Sequence, residues 1–382
     1  MRTGRWARRV GVGLLLLGAL GLGGTPAGGS SAAPHAEAAS AEIAVADAWA
    51  GRASATGGEA TASAALPQLQ PARVGIVGTS SEVGIHLANE RGYFAEQGLT
   101  PDYSRFDSAT FAVAPLSSGE LDVASGAVSA ALFNAINRGV ELRLAAPLSR
   151  YERGYSQSLL DVRKDLIDSG AIRDYGDLRG RTLAILAAGS TTEMLAERML
   201  QRAGLGLGDV NVVQLGSGDQ IAAFANGAID AGIITEPQAT IAEDRGVAVK
   251  WREVADWSPG VQVSNILYGP SYVSRNPDAG QRFMVAYLRG VRDYYDAIIA
   301  GRGDREAVID VLMRDTALKD RALYDRMLWV YMDPNLVLDE ADLRATMQWF
   351  VDRGLTDHAT DLNVAVDKRF ADYAVRTLGP YR

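Results

Sequence analysis

From about residue 71 onward, short apolar runs alternate with segments whose apolar residues have helical spacing. The run RVGIV at 73–77 predicts a buried strand, and residues 82–94 predict the helix that follows it. Further strands are predicted at 100–106 and 121–124, with a helix between them and another after them. Strands that alternate with helices indicate an α/β fold built on a doubly wound, mostly parallel sheet.

The same order of motifs returns in the second part of the chain. SGELDV at 118–123 resembles NGAIDA at 226–231, and the pair RG at 138–139 recurs at 245–246. The near-constant separation predicts two similar lobes, one starting near residue 71 and one near residue 178, although two unrelated α/β units could match by chance. The helices predicted after residue 276 have no counterpart in the repeat, so we expect them to pack on the first lobe.

The repeat also predicts a site. Open α/β sheets bind ligands at the carboxyl ends of their strands, against helix N-termini. Four predicted loops occupy such positions in matched pairs, and their hydroxyl and backbone N–H groups suit a small ligand, although each could also serve only as a helix N-cap. The candidate ligand-binding residues in these loops are Thr79, Ser80, Ser81, Glu82, Ser125, Gly126, Ala127, Gly189, Ser190, Thr191, Thr235 and Glu236.

Two carboxylates and one histidine are the titratable candidates at these loops. Glu82 and Glu236 could act as an acid and a base, or could be helix-start residues favoured by the helix dipole. His86, one turn into the first predicted helix, could contact the ligand or lie on a solvated face. The nearby sequence offers no set of nucleophile, base and orienting group, so we predict no catalytic residues.

Aromatic residues flank the predicted junction between the lobes. Tyr151 and Tyr155 follow a strand predicted at 142–145, and Trp257 precedes the segment that returns to the first lobe. Aromatic rings between two lobes can stack on a flat ligand. They can equally belong to the core or pack one lobe on the other.

Composition and charge exclude several classes of function. The 382 residues include 38 Lys and Arg against 46 Asp and Glu, and the formal charge of −8 disfavours nucleic-acid binding. The chain has no cysteine, which excludes disulfides, thiolate nucleophiles, cysteine-based zinc sites and a lipid anchor on an N-terminal cysteine. With three histidines and no H-E-x-x-H or phosphate-loop motif, we predict no metal and no cofactor.

The N-terminal segment has the pattern of a secretory signal. Four arginines at positions 2, 5, 8 and 9 precede an apolar run at 10–22, which is too short to span a bilayer. Small residues follow, so residues 1–27 are predicted to be a signal peptide, with cleavage after Ala27 or Ala38. Residues 28–70, rich in Ala, Gly and Ser, are predicted to be a disordered leader. We therefore expect an exported, soluble protein in the periplasm or outside the cell.

Several short motifs carry a family resemblance. They are ANERGYFAEQGL at 88–99, SGELDV at 118–123, VRKD at 162–165 with DLRGR at 177–181, and GS and EP at 189–190 and 236–237. Together they resemble the substrate-binding proteins of ABC transporters for nitrate, taurine, aliphatic sulfonates and thiamine-precursor pyrimidines. The resemblance covers about residues 73–300.

The resemblance implies a two-lobed type II periplasmic-binding-protein fold. Lobe one would comprise residues 71–165 and 262–382, and lobe two residues 166–261. It also implies a monomer that closes on a small-molecule ligand and then docks on a membrane permease. Related thiamine-pyrimidine synthases share this fold but carry a cysteine-rich motif that is missing here. A sensory or docking module that uses closure as a signal is a further possibility.

The identity of the ligand is a separate question. The four loops contain no Arg or Lys, which favours a neutral heteroaromatic such as a thiamine-precursor pyrimidine or a flavin. Helix N-termini alone can still hold an anion, so an aliphatic sulfonate, taurine or nitrate is the alternative.

Overall fold

The computed structural model describes residues 69–382. The predicted signal peptide, and the predicted leader as far as residue 68, lie outside the described residues. Within residues 69–382, no helix is both long and apolar enough to cross a membrane.

The first lobe is built on a five-stranded sheet. Its strands are β1 (Gln70–Ile76), β2 (Leu99–Arg105), β3 (Val123–Ala127), β4 (Arg143–Arg150) and a late strand, β10 (Gln262–Tyr268), in the order β2-β1-β3-β10-β4. β1 is parallel to β2 and β3, whereas β10 is antiparallel to both β3 and β4.

The second lobe repeats this topology. Its strands are β5 (Ser158–Arg163), β6 (Thr182–Ile185), β7 (Asn211–Gln214), β8 (Ala231–Thr235) and β9 (Ala248–Glu253), in the order β7-β6-β8-β5-β9. β6 is parallel to β7 and β8, and β5 is antiparallel to β8 and β9. The predicted two-lobed α/β fold is confirmed, and each sheet is mixed, with four strands in one direction and one antiparallel strand, β10 or β5.

The antiparallel strands are those that arrive from the other lobe. β5 enters the second sheet directly after the chain leaves β4, and β10 enters the first sheet after the chain leaves β9. Each comes from the side where the parallel strands end, so it has to run in the opposite direction. The chain therefore crosses between Arg150 and Ser158, earlier than the predicted boundary at 165, and returns between Glu253 and Gln262.

Helices cover both sheets. They are α1 (Val83–Glu90), α2 (Tyr93–Glu96), α3 (Ala109–Ser118), α4 (Ala130–Asn137), α5 (Lys164–Asp168), α6 (Thr191–Gln201), α7 (Ser217–Ala225), α8 (Gln238–Asp244), α9 (Pro277–Tyr294), α10 (Arg305–Asp315), α11 (Glu340–Asp352), α12 (Leu362–Ala365) and α13 (Arg369–Leu378). α9 packs along α1 at glycines, since a Cβ on Gly290 would lie 2.1 Å from the carbonyl oxygen of Gly84. This close packing fixes α1, and with it the loop between β1 and α1.

A fully buried carboxyl group lies in the middle of the second sheet. Asp161 on β5 pairs with Gly232 on β8 and Lys250 on β9, and neither of its carboxyl oxygens has a hydrogen-bond partner among the described residues. Burial raises the pKa of Asp161 well above its usual value, the nearby Glu236 raises it further, and Lys250 partly offsets both. The carboxyl group is therefore protonated in the folded protein over a wider pH range than in the unfolded chain.

Asp161→Asn should stabilise the protein more at pH 7 than at pH 4. Well below pH 4, Asp161 is protonated in both states, and at pH 4 the unfolded chain is only about half ionised. As the pH rises, the unfolded chain ionises while the folded protein keeps its proton, which costs about 1.4 kcal/mol per pH unit up to the folded pKa. Urea unfolding at the two pH values measures the difference. Asp165→Asn is the control. In the wild-type protein, Arg163 lowers the pKa of the exposed Asp165 carboxyl group, so this variant should show no such gain. An equal gain in both variants would contradict the raised pKa of Asp161.

Candidate functional site

The carboxyl ends of the parallel strands in the two lobes face each other across a narrow cleft. An inner chamber of about 40 Å³ lies at its centre. It is lined by residues of both lobes and of both crossing segments, namely Val77, Thr79, Ser108, Ala109, Gly126, Ala127, Tyr151, Gln157, Ser158, Leu186, Thr192, Thr235, Val263 and Ser264. None of these lining residues is charged, and seven carry a hydroxyl group on an aliphatic or aromatic side chain. The chamber is therefore suited to hydrogen bonding without a formal charge.

Three buried polar groups in the chamber lack a hydrogen-bond partner of good geometry among the described residues. They are the Tyr151 hydroxyl, Oε1 of Gln157 and Oγ of Ser158. The Gln157 side chain is anchored through Nε2, which donates to Oγ of Ser264 at 3.2 Å. Burial raises the pKa of Tyr151, and the neighbouring Ser158 offsets only part of this, so the phenol keeps its proton at neutral pH. Other buried polar atoms among the described residues also lack a partner, but these three border one chamber, where a bound molecule can provide partners for all of them.

Helix N-termini reach the same chamber from both lobes. Ser108 caps α3 by accepting a hydrogen bond from the N–H of Thr110 at 3.3 Å, and Ala109 in the first turn lines the chamber. Thr192, in the first turn of α6, lines it from the second lobe. The first N–H groups of a helix have no partner within the helix and carry a partial positive charge, so they favour a ligand group rich in acceptor oxygens.

A larger outer chamber opens from the inner one. Its volume is about 370 Å³, and Val77, Thr79 and Thr235 line both chambers. Unlike the inner chamber, it carries charge: the lining includes Arg105, Asp107, Asp219 and Arg245, together with Gly216, Ser217, Gly218, Ile221, Gln238, Ile241 and Ala317. The cleft thus has a neutral inner end and a charged outer end.

Glu82 holds the loop between β1 and α1 in shape. Its buried carboxylate accepts hydrogen bonds from the backbone N–H groups of Val77 at 2.6 Å, Gly78 at 2.6 Å and Thr79 at 3.0 Å, and from the hydroxyl of Ser125. Both carboxylate oxygens are engaged in these bonds. Of the two interpretations of Glu82, the structural one fits this geometry.

Glu236 has a comparable role in the second lobe. Its fully buried carboxylate accepts hydrogen bonds from the N–H groups of Thr240 at 2.9 Å and Leu328 at 3.1 Å, and lies 3.4 Å from Nζ of Lys250. Burial raises the pKa of Glu236, and Lys250 partly offsets the effect. Glu82 and Glu236 are each bound to separate parts of the scaffold, so they do not form an acid–base pair at the chamber.

Several of the predicted loops contact each other directly across the cleft. The N–H of Ala130 donates to the carbonyl of Gly189 at 2.9 Å, and the hydroxyl of Thr191 donates to the carbonyl of Val128 at 2.9 Å. On the other flank, the N–H of Ser80 donates to the carbonyl of Glu236 at 3.2 Å. The lobes are therefore closed.

The predicted loop residues divide into two groups. Thr79, Gly126, Ala127 and Thr235 line the inner chamber. The others, which are Ser80, Ser81, Glu82, Ser125, Gly189, Ser190, Thr191 and Glu236, contribute to the loops or to the contacts between the lobes in this closed form.

Of the three candidate aromatic residues, Tyr151 lines the chamber. Trp257 lies in the core of the second lobe, where its indole N–H donates to the carbonyl of Leu195 at 3.0 Å. Tyr155 forms a turn with Glu152 and lies away from both chambers. His86 is also away from them: it is buried in the first lobe, with Nδ1 3.4 Å from Oδ2 of Asp315, and burial lowers its pKa.

Sequence reasoning missed several residues of the chamber. Gln157 lies in the crossing between the sheets, Ser158 begins β5, Ser264 lies in β10, and Ser108 and Thr192 lie at helix starts. The sequence signal for these residues was the polar cluster Ser156-Gln157-Ser158, which follows β4. The predicted boundary at 165 placed this cluster within the first lobe, so the sequence analysis did not assign it to the cleft.

The C-terminal part of the chain contacts the second lobe on both sides of the cleft. The Arg326 guanidinium pairs with Glu243 at 3.0 Å and Asp244 at 3.1 Å, next to the contact of Leu328 with Glu236. On the opposite flank, the indole N–H of Trp349 donates to Glu197 at 2.6 Å. The expectation that these segments pack on the first lobe is therefore incomplete, because they also contact the second lobe.

Glu82→Ala should destabilise the protein without involving any ligand. It leaves three backbone N–H groups of a buried loop without an acceptor, and we expect a loss of about 3 kcal/mol or more in the free energy of unfolding. Chemical denaturation measures it. Glu90→Ala is the control, because this carboxylate at the end of the same helix is half exposed and should matter by less than about 0.5 kcal/mol. Equal small losses in both variants would contradict the role of Glu82.

Comparison with known proteins identifies the family. The family model described as "NMT1/THI5 like" matches residues 80–297, more than half of the chain. A Brucella abortus protein that is named as a binding protein is 27% identical over 241 residues, which are 62% of this chain and 70% of that protein. A Bacillus subtilis protein named as an aliphatic sulfonates-binding protein is 26% identical over 232 residues, 59% of this chain and 65% of that protein.

Solved structures share the fold. The periplasmic nitrate-binding protein of Synechocystis superposes with a TM-score of 0.67 and 14% identity, over 82% of this chain and 90% of that one. The alkanesulfonate-binding protein of Xanthomonas axonopodis, bound to MOPS, gives a TM-score of 0.61 and 19% identity, over 78% of this chain and 98% of that one. A desulfurization enzyme also shares the fold, with a TM-score of 0.58 and 14% identity over 80% and 99%. This chain belongs to the NMT1/THI5-like family, and its fold is that of the type II periplasmic binding proteins.

Proposed function

We propose that this protein is the solute-binding component of an ABC importer. It captures a small solute between its lobes and delivers it to a membrane permease. The observation that carries the proposal is the enclosed inner chamber, in which Tyr151, Gln157 and Ser158 present buried polar groups without a partner among the described residues. Family membership and the sulfonate- and nitrate-binding relatives support the same function.

The position of these groups links binding to closure. Tyr151 and Gln157 lie in the segment that crosses between the lobes, and Ser158 begins β5. Thr79 and Ala109 line the chamber from the first lobe, and Thr192 lines it from the second. A solute that bonds to both lobes and to the crossing stabilises the closed form over any open form, and this difference in affinity is what drives closure.

The dimensions of the chamber favour a compact polar head group. A buried water needs about 10–15 Å³ of such volume, so about 40 Å³ accommodates a group the size of a few waters. A sulfonate or nitrate group has this size and is rich in acceptors for hydroxyl groups and helix N-termini. A flavin is far larger than the inner chamber, so the preference for a heteroaromatic ligand has no support, and we propose the alternative class, an oxyanion such as a sulfonate or nitrate.

We propose binding rather than catalysis. The residues that line the inner chamber contribute hydroxyl and amide groups but no histidine or carboxylate. Because a desulfurization enzyme shares the fold, turnover needs its own test. Incubation of the protein with bound alkanesulfonate, followed by NMR of the released molecule, should return it unchanged. Release of sulfite or of another product at a catalytic rate would instead favour an enzyme.

We also propose export and a monomeric state. The sequence pattern at residues 1–27 and the family support a location outside the cytoplasm, where a solute-binding protein meets both its ligand and its permease.

Tyr151→Phe and Ser158→Ala test the chamber. Each removes a buried hydroxyl group that lacks a good protein partner, so the stability of the ligand-free protein should stay the same or increase. Each also removes a bond to the solute, so affinity for ethanesulfonate, measured by titration calorimetry, should fall about tenfold. Because the loss of affinity comes without a loss of stability, this result separates ligand binding from a structural role.

Tyr294→Phe is the matched control. Its hydroxyl group is also buried but donates to the carbonyl of Val330 at 2.7 Å and accepts from its N–H at 3.1 Å. It should lower the free energy of unfolding and leave the affinity unchanged. Unaltered affinity in both chamber variants would show that the solute binds elsewhere.

A further inference from the structure

Four charged side chains that lack an ion pair in the described part of the chain line the outer chamber, at the outer end of the cleft. Arg105 and Asp107 come from the first lobe, and Asp219 and Arg245 come from the second. Arginine and carboxylate side chains elsewhere on residues 69–382 form many ion pairs, for example Arg326 with Glu243. Among the described residues, these four exposed side chains have no ion pair and no side-chain hydrogen bond, as is also the case for exposed arginines outside the cleft such as Arg138. Charges of both signs therefore line one cavity without neutralising each other.

The two cations come from opposite sides of the cleft. A Cβ on Gly78 would lie 2.2 Å from Nη2 of Arg105, and Gly78 has a φ of +82°, so glycine is what allows the guanidinium to lie against the loop between β1 and α1. This loop also carries Thr79, which lines both chambers. Arg245 is the residue that ends α8 in the second lobe. Each lobe thus provides one guanidinium, a group suited to carboxylates.

The two anions face the same space. A Cβ on Gly216 would lie 3.8 Å from Cβ of Asp107, so Asp107 of the first lobe meets the start of α7 across the cleft. Asp219 lies in the first turn of α7. Carboxylates in such positions can accept hydrogen bonds from an ammonium group.

We propose that the outer chamber holds the tail of the solute and that this tail carries both an ammonium and a carboxylate group, as an amino acid does. Such a tail gives every one of the four charges a partner and is itself neutral overall, so the solute carries only the charge of its oxyanion head. The proposal rests on the proposed function, since the oxyanion head occupies the inner chamber. The ligand class is thus a sulfonate with an amino-acid end, and the chamber volume of about 370 Å³ leaves room for a longer chain.

Four probes that share one head group test this inference. Ethanesulfonate has no charged tail, taurine has only the ammonium, 3-sulfopropionate has only the carboxylate, and cysteate has both. Titration calorimetry at low ionic strength should rank cysteate first, about tenfold or more above ethanesulfonate, with the other two between them. The advantage should shrink as salt is raised, because the outer chamber is open to solvent. Homocysteate, one methylene longer, reports on the reach of the tail.

Paired variants separate the two signs of charge. In Arg105→Gln with Arg245→Gln, the preference for cysteate over taurine should fall to about one, while the preference for cysteate over 3-sulfopropionate persists. In the double variant Asp107→Asn with Asp219→Asn, the preference for cysteate over 3-sulfopropionate should fall to about one, while the preference for cysteate over taurine persists. Arg138→Gln is the control: it removes an exposed arginine that lies outside both chambers, and it should change neither ratio.

The outcomes distinguish this inference from the function on which it rests. If all four probes bind with equal affinity, the proposed tail is wrong and the oxyanion-binding function stands. If only one sign of tail charge improves affinity, the zwitterionic tail is overturned. If neither these probes nor nitrate bind, both the inference and the oxyanion proposal fail.

Discussion

The whole arrangement depends on the two crossings of the chain between the sheets. Each crossing delivers an antiparallel strand, β5 or β10, into a sheet whose other strands begin on the far side. As a result, the carboxyl ends of the parallel strands in both lobes face each other. Helix N-termini, strand ends and the crossing residues Tyr151 and Gln157 then converge on one small space. A site of this kind follows from topology before any particular side chain is considered.

Whether a charged side chain near the cleft has a partner depends on whether water reaches it. The inner chamber has neutral lining residues, because an unpaired charge in such a closed space would be expensive to desolvate. The buried carboxylates that lie near the cleft have partners in the scaffold, as Glu82 does in the loop after β1 and Glu236 does at the contact with Leu328. Charge without a partner is found further out, at Arg105 and Arg245, where water still reaches the side chains.

The contacts that hold the two lobes together lie at several places along the edges of the cleft. The backbone contacts of Ala130 with Gly189 and of Ser80 with Glu236 lie at the loops themselves. The C-terminal part of the first lobe adds Arg326 on one flank and Trp349 on the other. These contacts lie outside the chamber lining, and a bound solute adds its own bonds across the cleft to them.

The sequence by itself determined the fold class, the repeat and the strand ends that border the inner chamber. Alternating apolar runs and helical spacing are local properties, and the matched motifs near 118–123 and 226–231 were enough to indicate two lobes. Thr79, Gly126, Ala127 and Thr235 line the inner chamber for this reason, because the ends of parallel strands and the loops after them lie at one edge of a sheet, and their contact with a ligand stays a prediction.

Only the tertiary structure decided what each loop residue does. Whether Glu82 meets a ligand or three backbone N–H groups depends on how its loop folds, and whether Trp257 stacks in the cleft or packs in a core depends on contacts with Leu195 far away in sequence. The same holds for the membership of β5 in the second sheet, since a short buried strand does not specify its partners. Such long-range pairings are set by packing of the whole chain, and no local pattern records them.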